Sequence, residues 1–232
     1  MPYRRLPNTD KARLRALKQA VYMGDTQTIY DLAFSFKTLN EARNLLARFE
    51  GAQEYYTQRY NEQAAASRKH QAHAKTARLY ISHFIQVLNM SVLRQEIKKG
   101  HKELYDLEPD NFTLPDLTAE SAIAEWGAKV INGEQQRMEK GGAPIYNPTI
   151  AKVIVHYDIF MRSYERQKEL QTLTARSLET IAAMRETVDE VILDIWNQVE
   201  NTYERVVPNE KRLEACRAYG LIYYYRSGEQ SS

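Results

Sequence analysis

The chain has 232 residues, of which 43% are apolar and 27% are charged, as in ordinary soluble globular proteins. No run approaches the roughly 18 apolar residues of a membrane-spanning helix, and the first residues lack the apolar stretch of a signal peptide. The single cysteine, Cys216, excludes an internal disulfide. We therefore expect a cytoplasmic protein with no membrane partner.

The net charge of +2 hides a difference between the two halves of the chain. Residues 1–105 carry 18 Lys and Arg against 9 Asp and Glu, whereas residues 106–232 carry 14 against 21. Opposite charges favour packing of one half on the other, or head-to-tail packing on a second copy. Contact between the basic half and a phosphate backbone is the alternative.

The first predicted element is a short helix near the N-terminus. Asn8 or Thr9 is its candidate N-cap, and Gly24 ends it just after Met23. A second short helical piece is expected over Thr26–Phe36.

A long helix is predicted over Thr38–Lys98, which contains one glycine and no proline. Thr38 and Glu41 have the spacing of a capping box at its start. Apolar residues recur at helical spacing near both ends, whereas residues 61–77 contain no large aliphatic residue. The chain either continues as a helix through 61–77 or folds back there into a hairpin. Continuity is favoured because no glycine or proline marks a bend, and it implies a length of about 90 Å.

The second half begins with a linker over Asp106–Asp116, which is rich in acidic residues and proline. Thr118 is a candidate cap for a helix that runs toward Lys140. Residues 141–144, Gly-Gly-Ala-Pro, break that helix.

A second long helix is predicted over Asn147–Val207, with Asn147 as its cap and Pro148 in its first turn. Pro208 ends it and begins a short helix to about Tyr219. Residues Leu221–Arg226 are expected to pack as an extended tail, because one strand alone cannot form a sheet.

The two long segments begin 109 residues apart, and other landmarks coincide at that offset. The sequence therefore predicts an all-α fold: an elongated up-and-down, four-helix-type bundle built from a duplicated unit of short helix and long helix. The repeats are residues 1–105 and 106–232, which we expect to pack as one domain. Matching pairs are Leu14/Ile123, Leu17/Trp126, Val21/Val130, Gly24/Gly133, Ala42/Ala151, Leu45/Ile154 and Tyr55/Tyr164.

The sequence gives little support to a metal or catalytic site. A ferritin-like di-metal site needs Glu-x-x-His pairs, and none of the five histidines follows a glutamate at that spacing. His70 and His73 share a helical face without a third ligand, so a solvated or pocket-lining pair is favoured over a metal site. His83 and His156 are interpreted as hydrogen-bonded core residues, and Cys216 as a buried thiol. We expect no cofactor, no metal and no catalytic residue.

The strongest polar feature is a cluster of cations in the first 20 residues. Such a helical face could contact nucleic-acid phosphates. The alternative is a solvated face, or one paired with the acidic run Glu186, Asp189, Glu190 and Asp194. The candidate nucleic-acid-binding residues are Arg4, Arg5, Lys11, Arg15 and Lys18.

Tyrosine is abundant, with 16 residues, and a phenol offers an apolar body with a polar tip. These side chains either line a ligand groove or bridge the core and the rim of the bundle. The candidate groove residues are Tyr80, His83, Tyr146, Asn147 and Tyr157.

Three short segments carry a resemblance: Tyr3–Asp10 (YRRLPNTD), Ile145–Thr149 (IYNPT) and Tyr223–Arg226 (YYYR). With them the chain resembles a family of uncharacterised bacterial all-helical proteins. That resemblance covers most of the chain but implies no activity and no site residues.

Together these patterns favour a non-enzymatic cytoplasmic protein that acts in protein–protein interaction or scaffolding, with a homodimer as the expected assembly. The alternative function is association with nucleic acid through the basic N-terminal helix.

Overall fold

The computed structural model describes residues 2–225, and it confirms the predicted all-α class. Within those residues no helix is long and apolar enough to cross a membrane. The α-helices are α1 (Asp10–Thr26), α2 (Phe36–Leu93), α3 (Glu120–Glu139), α4 (Ile150–Thr202) and α5 (Asn209–Ala218), and a 3₁₀ helix, Lys99–Tyr105, lies between α2 and α3.

The chain divides into two compact units, and each takes residues from both halves of the sequence. The first unit comprises residues up to Arg59 together with those from Thr174 onward; the second is Tyr60–Leu173. These units differ from the predicted repeats 1–105 and 106–232. The second unit carries 15 Lys and Arg against 14 Asp and Glu, and the first carries 17 against 16. The charge difference between the sequence halves is therefore absent from the folded units.

In the first unit, the start of α2 packs with the end of α4, and α1 and α5 complete the core. Leu17, Phe49, Val188 and Trp196 are all at most 1% exposed in this cluster. Their spacing along each helix places them on one face, as the apolar periodicity predicts.

In the second unit, the end of α2 packs with the start of α4, α3 and the 3₁₀ helix. Ile81, Phe84, Ile123 and Phe160 are fully buried in this core. Two small residues in α3 allow close approach: a Cβ on Gly127 would clash with the Tyr157 ring, and one on Gly133 would clash with Tyr105.

Helix α2 runs without interruption through residues 61–77, so the predicted continuity is confirmed. Its N-terminal cap differs from the prediction. Helix α2 begins at Phe36, and the Ser35 hydroxyl accepts from the Thr38 amide at 3.1 Å. Thr38 instead donates its hydroxyl to Asp194 at 3.0 Å, so the predicted Thr38–Glu41 capping box is wrong.

The caps of the second half also differ from the prediction. Helix α3 begins at Glu120, one residue after Ala119, and Thr118 lies before that cap. Helix α4 begins at Ile150 after Asn147 and Pro148, and the Lys152 amide donates to the Thr149 hydroxyl at 3.4 Å. The break at 141–144 is confirmed.

The segment between α1 and α2 is a series of turns, not the predicted short helix. Two of its backbone amides are satisfied by distant side chains: the Ala33 amide donates to the Tyr219 hydroxyl at 3.1 Å, and the Ser35 amide to Gln198 Oε1 at 2.8 Å. Gly24 lies inside α1 and does not end it. A Cβ at that position would clash with the side chain of Leu39.

The predicted extended tail has a partner that sequence reasoning missed. Strand β1 (Tyr3–Arg4) pairs antiparallel with strand β2 (Tyr223–Tyr224), with Tyr3 opposite Tyr224. Arg226 lies outside the described residues. The short helix after Pro208 is confirmed as α5, capped by that proline.

Two helical glycines provide a test of this packing. Gly127→Ala should lower the free energy of unfolding by about 1–3 kcal/mol, because the added methyl overpacks the contact with Tyr157. Gly51→Ala is the matched control, since a Cβ there meets nothing within 4 Å. It should raise stability by about 0.5–1 kcal/mol through helix propensity alone. Urea unfolding of both variants measures the difference, and equal shifts would contradict the packing.

Candidate functional site

A cleft of about 570 Å³ opens in the second unit, beside the C-terminal end of α3. One wall is the segment between α2 and the 3₁₀ helix, which contributes Arg94, Glu96 and Lys98, together with His101 from the 3₁₀ helix itself. The other wall is the loop after α3. Its lining residues are Arg137, Gly141, Gly142, Ala143, Pro144, Ile145, Tyr146 and Asn147.

A buried polar network adjoins this cleft through Arg137, which belongs to both. Arg137 donates from Nε and Nη2 to the two carboxylate oxygens of Glu134, at 2.8 and 2.7 Å. The Tyr105 hydroxyl donates to Glu134 and accepts from Arg137 Nε at 3.1 Å. The Ala143 carbonyl accepts from Arg137 Nη2 at 2.7 Å. The network therefore joins α3, the 3₁₀ helix and the loop that forms the cleft.

Burial gives this network large energetic weight. The side chains of Glu134 and Arg137 are 0% and 2% exposed. The hydrogen bonds with Glu134 raise the pKa of Arg137, and burial followed by the bond to Glu134 raises the pKa of Tyr105. Both effects keep the guanidinium and the phenol protonated. Removal of one partner alone from a buried ion pair strongly destabilises the folded protein, because the remaining charge is left buried without a partner.

The position of Glu134 and Arg137 on the apolar face of α3 is a sequence signal for this network. The buried face of α3 runs through Ile123, Gly127 and Val130 at helical spacing. The next positions on that face are Glu134 and Arg137, an oppositely charged pair three residues apart. Charged residues that continue an apolar stripe indicate a buried ion pair.

Of the five candidate groove residues, two line the cleft and three do not. Tyr146 and Asn147 line the cleft, and Tyr146 is 79% exposed. Tyr80 instead stacks on His156, with ring centroids 4.1 Å apart. Tyr157 donates its hydroxyl to the Ala124 carbonyl at 2.8 Å, and burial raises its pKa.

The histidines are distributed differently from the prediction. His83 is exposed, because it faces away from the stripe that buries Ile81 and Phe84, so its interpretation as a core histidine is wrong. His70 is buried and lies 2.9 Å from the Ser163 hydroxyl and 3.0 Å from a Glu120 carboxylate oxygen.

A metal-binding cluster is also absent from the described part of the chain, where no three His, Cys, Asp or Glu side chains converge. Cys216 is buried as expected, and burial raises the pKa of its thiol.

The basic N-terminal residues lie in the first unit, and several are engaged with acidic partners there. Arg4 contacts Glu200 at 2.8 Å, and Lys18 contacts Glu50. Arg5, Lys11 and Arg15 form no ion pair with the residues described. The candidate nucleic-acid surface is therefore smaller than the sequence suggests.

Asp189, a member of the acidic run on α4, neutralises a further cation of α1. Arg13 donates to both carboxylate oxygens of Asp189 at 2.8 Å, which raises the pKa of Arg13. Asp10 accepts from Arg185 at 2.8 and 2.9 Å and from Arg13 at 3.2 Å. Paired, not solvated, cations thus dominate the contact between α1 and α4.

A second candidate surface is an apolar groove of about 330 Å³ between α3 and α4 in the second unit. Ile131 and Met138 line it from α3, and Ile150 and Ile154 line it from α4. Met138 is 42% exposed, so the groove is open to a partner.

Fold and surfaces together define an all-α protein whose second unit carries a polar cleft and an apolar groove. Comparison with known proteins adds no relative: no family model, curated protein or solved structure matches the chain.

Substitution within the buried network tests its weight. Glu134→Gln should lower the free energy of unfolding by about 3 kcal/mol, because it leaves the Arg137 charge buried and unpaired. Glu169→Gln is the matched control, since Arg166 and Glu169 have the same three-residue spacing but are 55% and 59% exposed. Its expected cost is below about 0.5 kcal/mol. Denaturant unfolding at neutral pH compares them, and similar losses would show that the network is not buried in solution.

The ion pairs of Asp10 predict a pH dependence. Hydrogen bonding from Arg185, with the charges of Arg185 and Arg13, lowers the pKa of Asp10 in the folded protein. Its stabilisation is therefore present above the pKa of the unfolded carboxyl and is lost as pH falls through the folded pKa. Asp10→Asn should cost about 1 kcal/mol at neutral pH and almost nothing in acid.

Unfolding midpoints measured across the acid range check this expectation. The exposed Glu204→Gln removes one negative charge from the same unit and should show no such convergence. A constant difference between Asp10→Asn and the parent at every pH would refute the ion-pair explanation.

Proposed function

We propose that the protein acts without catalysis, in protein–protein association, and that its partner is a second copy of the same chain. Two apolar features support the proposal: the groove between α3 and α4, and a protruding turn between α1 and α2. The proposal includes a cytoplasmic location, which the lone buried cysteine supports.

The groove has the composition of a docking site for protein side chains. Its floor consists of apolar residues on one face of each of two helices, two turns apart on α3 and one turn apart on α4, with Gln135 and Glu139 at its rim. Gln135 donates to Glu139 at 3.1 Å, so the polar rim is satisfied without covering the apolar floor. Apolar floors with polar rims are typical of interfaces that exclude water at the centre.

The turn supplies a matching anchor. Ile29 is 68% exposed and Tyr30 is 98% exposed, so most of this apolar surface is open to solvent. The turn is closed by its own hydrogen bonds: the Asp31 and Leu32 amides donate to the Thr28 carbonyl at 3.1 Å, and the Thr28 hydroxyl donates to Asp31 at 2.6 Å, which restricts the backbone before any partner binds. A pre-organised, exposed tyrosine is a frequent centre of binding energy in interfaces.

A second copy is the occupant that these observations favour. One chain carries both an exposed apolar pair and an open apolar groove, so each feature has a complement on a second copy. Such reciprocal contacts are typical of two-fold dimers, in which each feature occurs twice. The nucleic-acid alternative has less support, because each compact unit carries a net charge of only +1.

The dimer is tested by light scattering after size-exclusion chromatography at micromolar concentration. We expect a dimer for the parent chain and a monomer for Tyr30→Ser and for Ile154→Gln, which alter the anchor and the groove separately. Tyr146→Ser is the matched control, because Tyr146 is 79% exposed but lies outside both features.

A monomeric parent chain would overturn the proposed partner, as would a dimer that survives both substitutions. A nucleic-acid function would instead show as binding to mixed-sequence DNA or RNA at low salt that weakens as salt rises. Lys11→Gln, on the exposed face of α1, should weaken that binding and leave the dimer intact.

A further inference from the structure

We propose that the cleft beside the C-terminal end of α3 binds a small organic anion, whose carboxylate or phosphate group is held by Arg137, Lys98 and His101. This site is independent of the proposed dimer, whose groove is lined by other residues of α3 and α4.

The first support is an unused donor on a buried arginine. Arg137 is 2% exposed, and its Nε and Nη2 atoms are committed to Glu134, Tyr105 and Ala143. Its Nη1 atom donates to no described residue and keeps some accessible surface. Because Arg137 lines the cleft, the remaining accessible surface places this donor at the cleft wall. A guanidinium fixed on three sides is pre-organised to bind an anion on the fourth.

The loop after α3 keeps this donor uncovered. A Cβ on Gly142 would lie 2.5 Å from Arg137 Nη1 and 2.9 Å from the Arg137 carbonyl oxygen. Any side chain at this position would therefore collide with the arginine or cover it. Gly141, with φ +84°, turns the chain so that Gly142 reaches this position.

The opposite wall supplies charge that the cleft does not neutralise. Arg94 and Glu96 pair with each other at 2.9 Å, and Arg137 is balanced by Glu134. Lys98 and His101 form no ion pair within the described chain, so Lys98 leaves the cleft with an uncompensated positive charge. Since the Arg137 pair is neutral overall, Lys98 supplies the attraction, His101 supplies a further polar contact, and Nη1 supplies direction.

Apolar walls favour an organic anion over a bare inorganic one. Val87, Ile97, Pro144 and Ile145 line the cleft together with the polar groups. The volume of about 570 Å³ lies within the range of small-molecule sites and exceeds the space that one phosphate fills. A ligand with one anionic group on an apolar body satisfies both walls.

The test is an NMR titration of the isotopically labelled full chain with four probes. Binding is monitored through the amide chemical shifts of Gly141, Gly142 and Asn147. Phenyl phosphate and benzoate carry the two anionic groups on the same apolar body, and the tighter of them identifies the preferred group. Inorganic phosphate lacks the body, and benzyl alcohol lacks the charge. We expect saturable shifts at lower concentration with an aryl anion than with inorganic phosphate, and none with benzyl alcohol.

Substitution of exposed lysines avoids damage to the buried network. Lys98→Gln should weaken aryl-anion binding by about ten-fold, as for loss of a hydrogen bond to a charged group. Lys140→Gln, an equal charge change just outside the cleft lining, should change it by less than about two-fold. Equal weakening by both variants, shifts confined to α1, or binding of inorganic phosphate as tight as that of the tighter aryl anion would each overturn the proposal.

Discussion

The structure depends on burial of two apolar stripes on each long helix, one stripe toward each end. Neither compact core can form from one half of the chain, because each combines the start of one long helix with the end of the other. The charge distribution follows from this constraint. A basic segment and an acidic segment meet within each unit, and pairs such as Arg13–Asp189 form where they meet. The opposite charges of the two halves thus become internal contacts.

The burial pattern of the long helices shows how similar the two halves are. In the second part of α2, Ala74, Ile81, Ile85, Leu88 and Val92 are buried, and the residues 107 positions later, Ile181, Val188, Ile192, Ile195 and Val199, are buried in α4. In the first part, Ala42 and Phe49 correspond to Val153 and Phe160 at an offset of 111. The difference of four residues is about one helical turn, so a length change between the stripes preserves the buried face. These two offsets differ by two residues from the 109 of the sequence matches, and internal duplication remains a prediction.

Helical periodicity predicted the helices well because it depends on residues close in sequence. The predicted ends were less accurate, since a local motif competes with partners far along the chain. Thr38 has the capping-box spacing but bonds to Asp194, 156 residues away. The segment before it has a helix-like sequence, but its Ala33 and Ser35 amides bond to Tyr219 and Gln198. The cleft was missed for the same reason, because its walls come from segments separated by about 40 residues whose proximity only the packing of α3 establishes.

The composition of the α3 face argues that the Glu134–Arg137 pair has a role besides stability. Apolar residues of similar volume at such positions are often as stabilising as a buried ion pair, because desolvation offsets much of the attraction. Stability alone therefore does not require a charged pair after Val130. The charged pair instead holds one guanidinium rigidly with a single donor left over, and Gly142 leaves that donor uncovered. Tyr105 completes the arrangement by bonding both partners from a separate helix. Rigid presentation of one donor to a cleft is the property that aliphatic residues cannot supply.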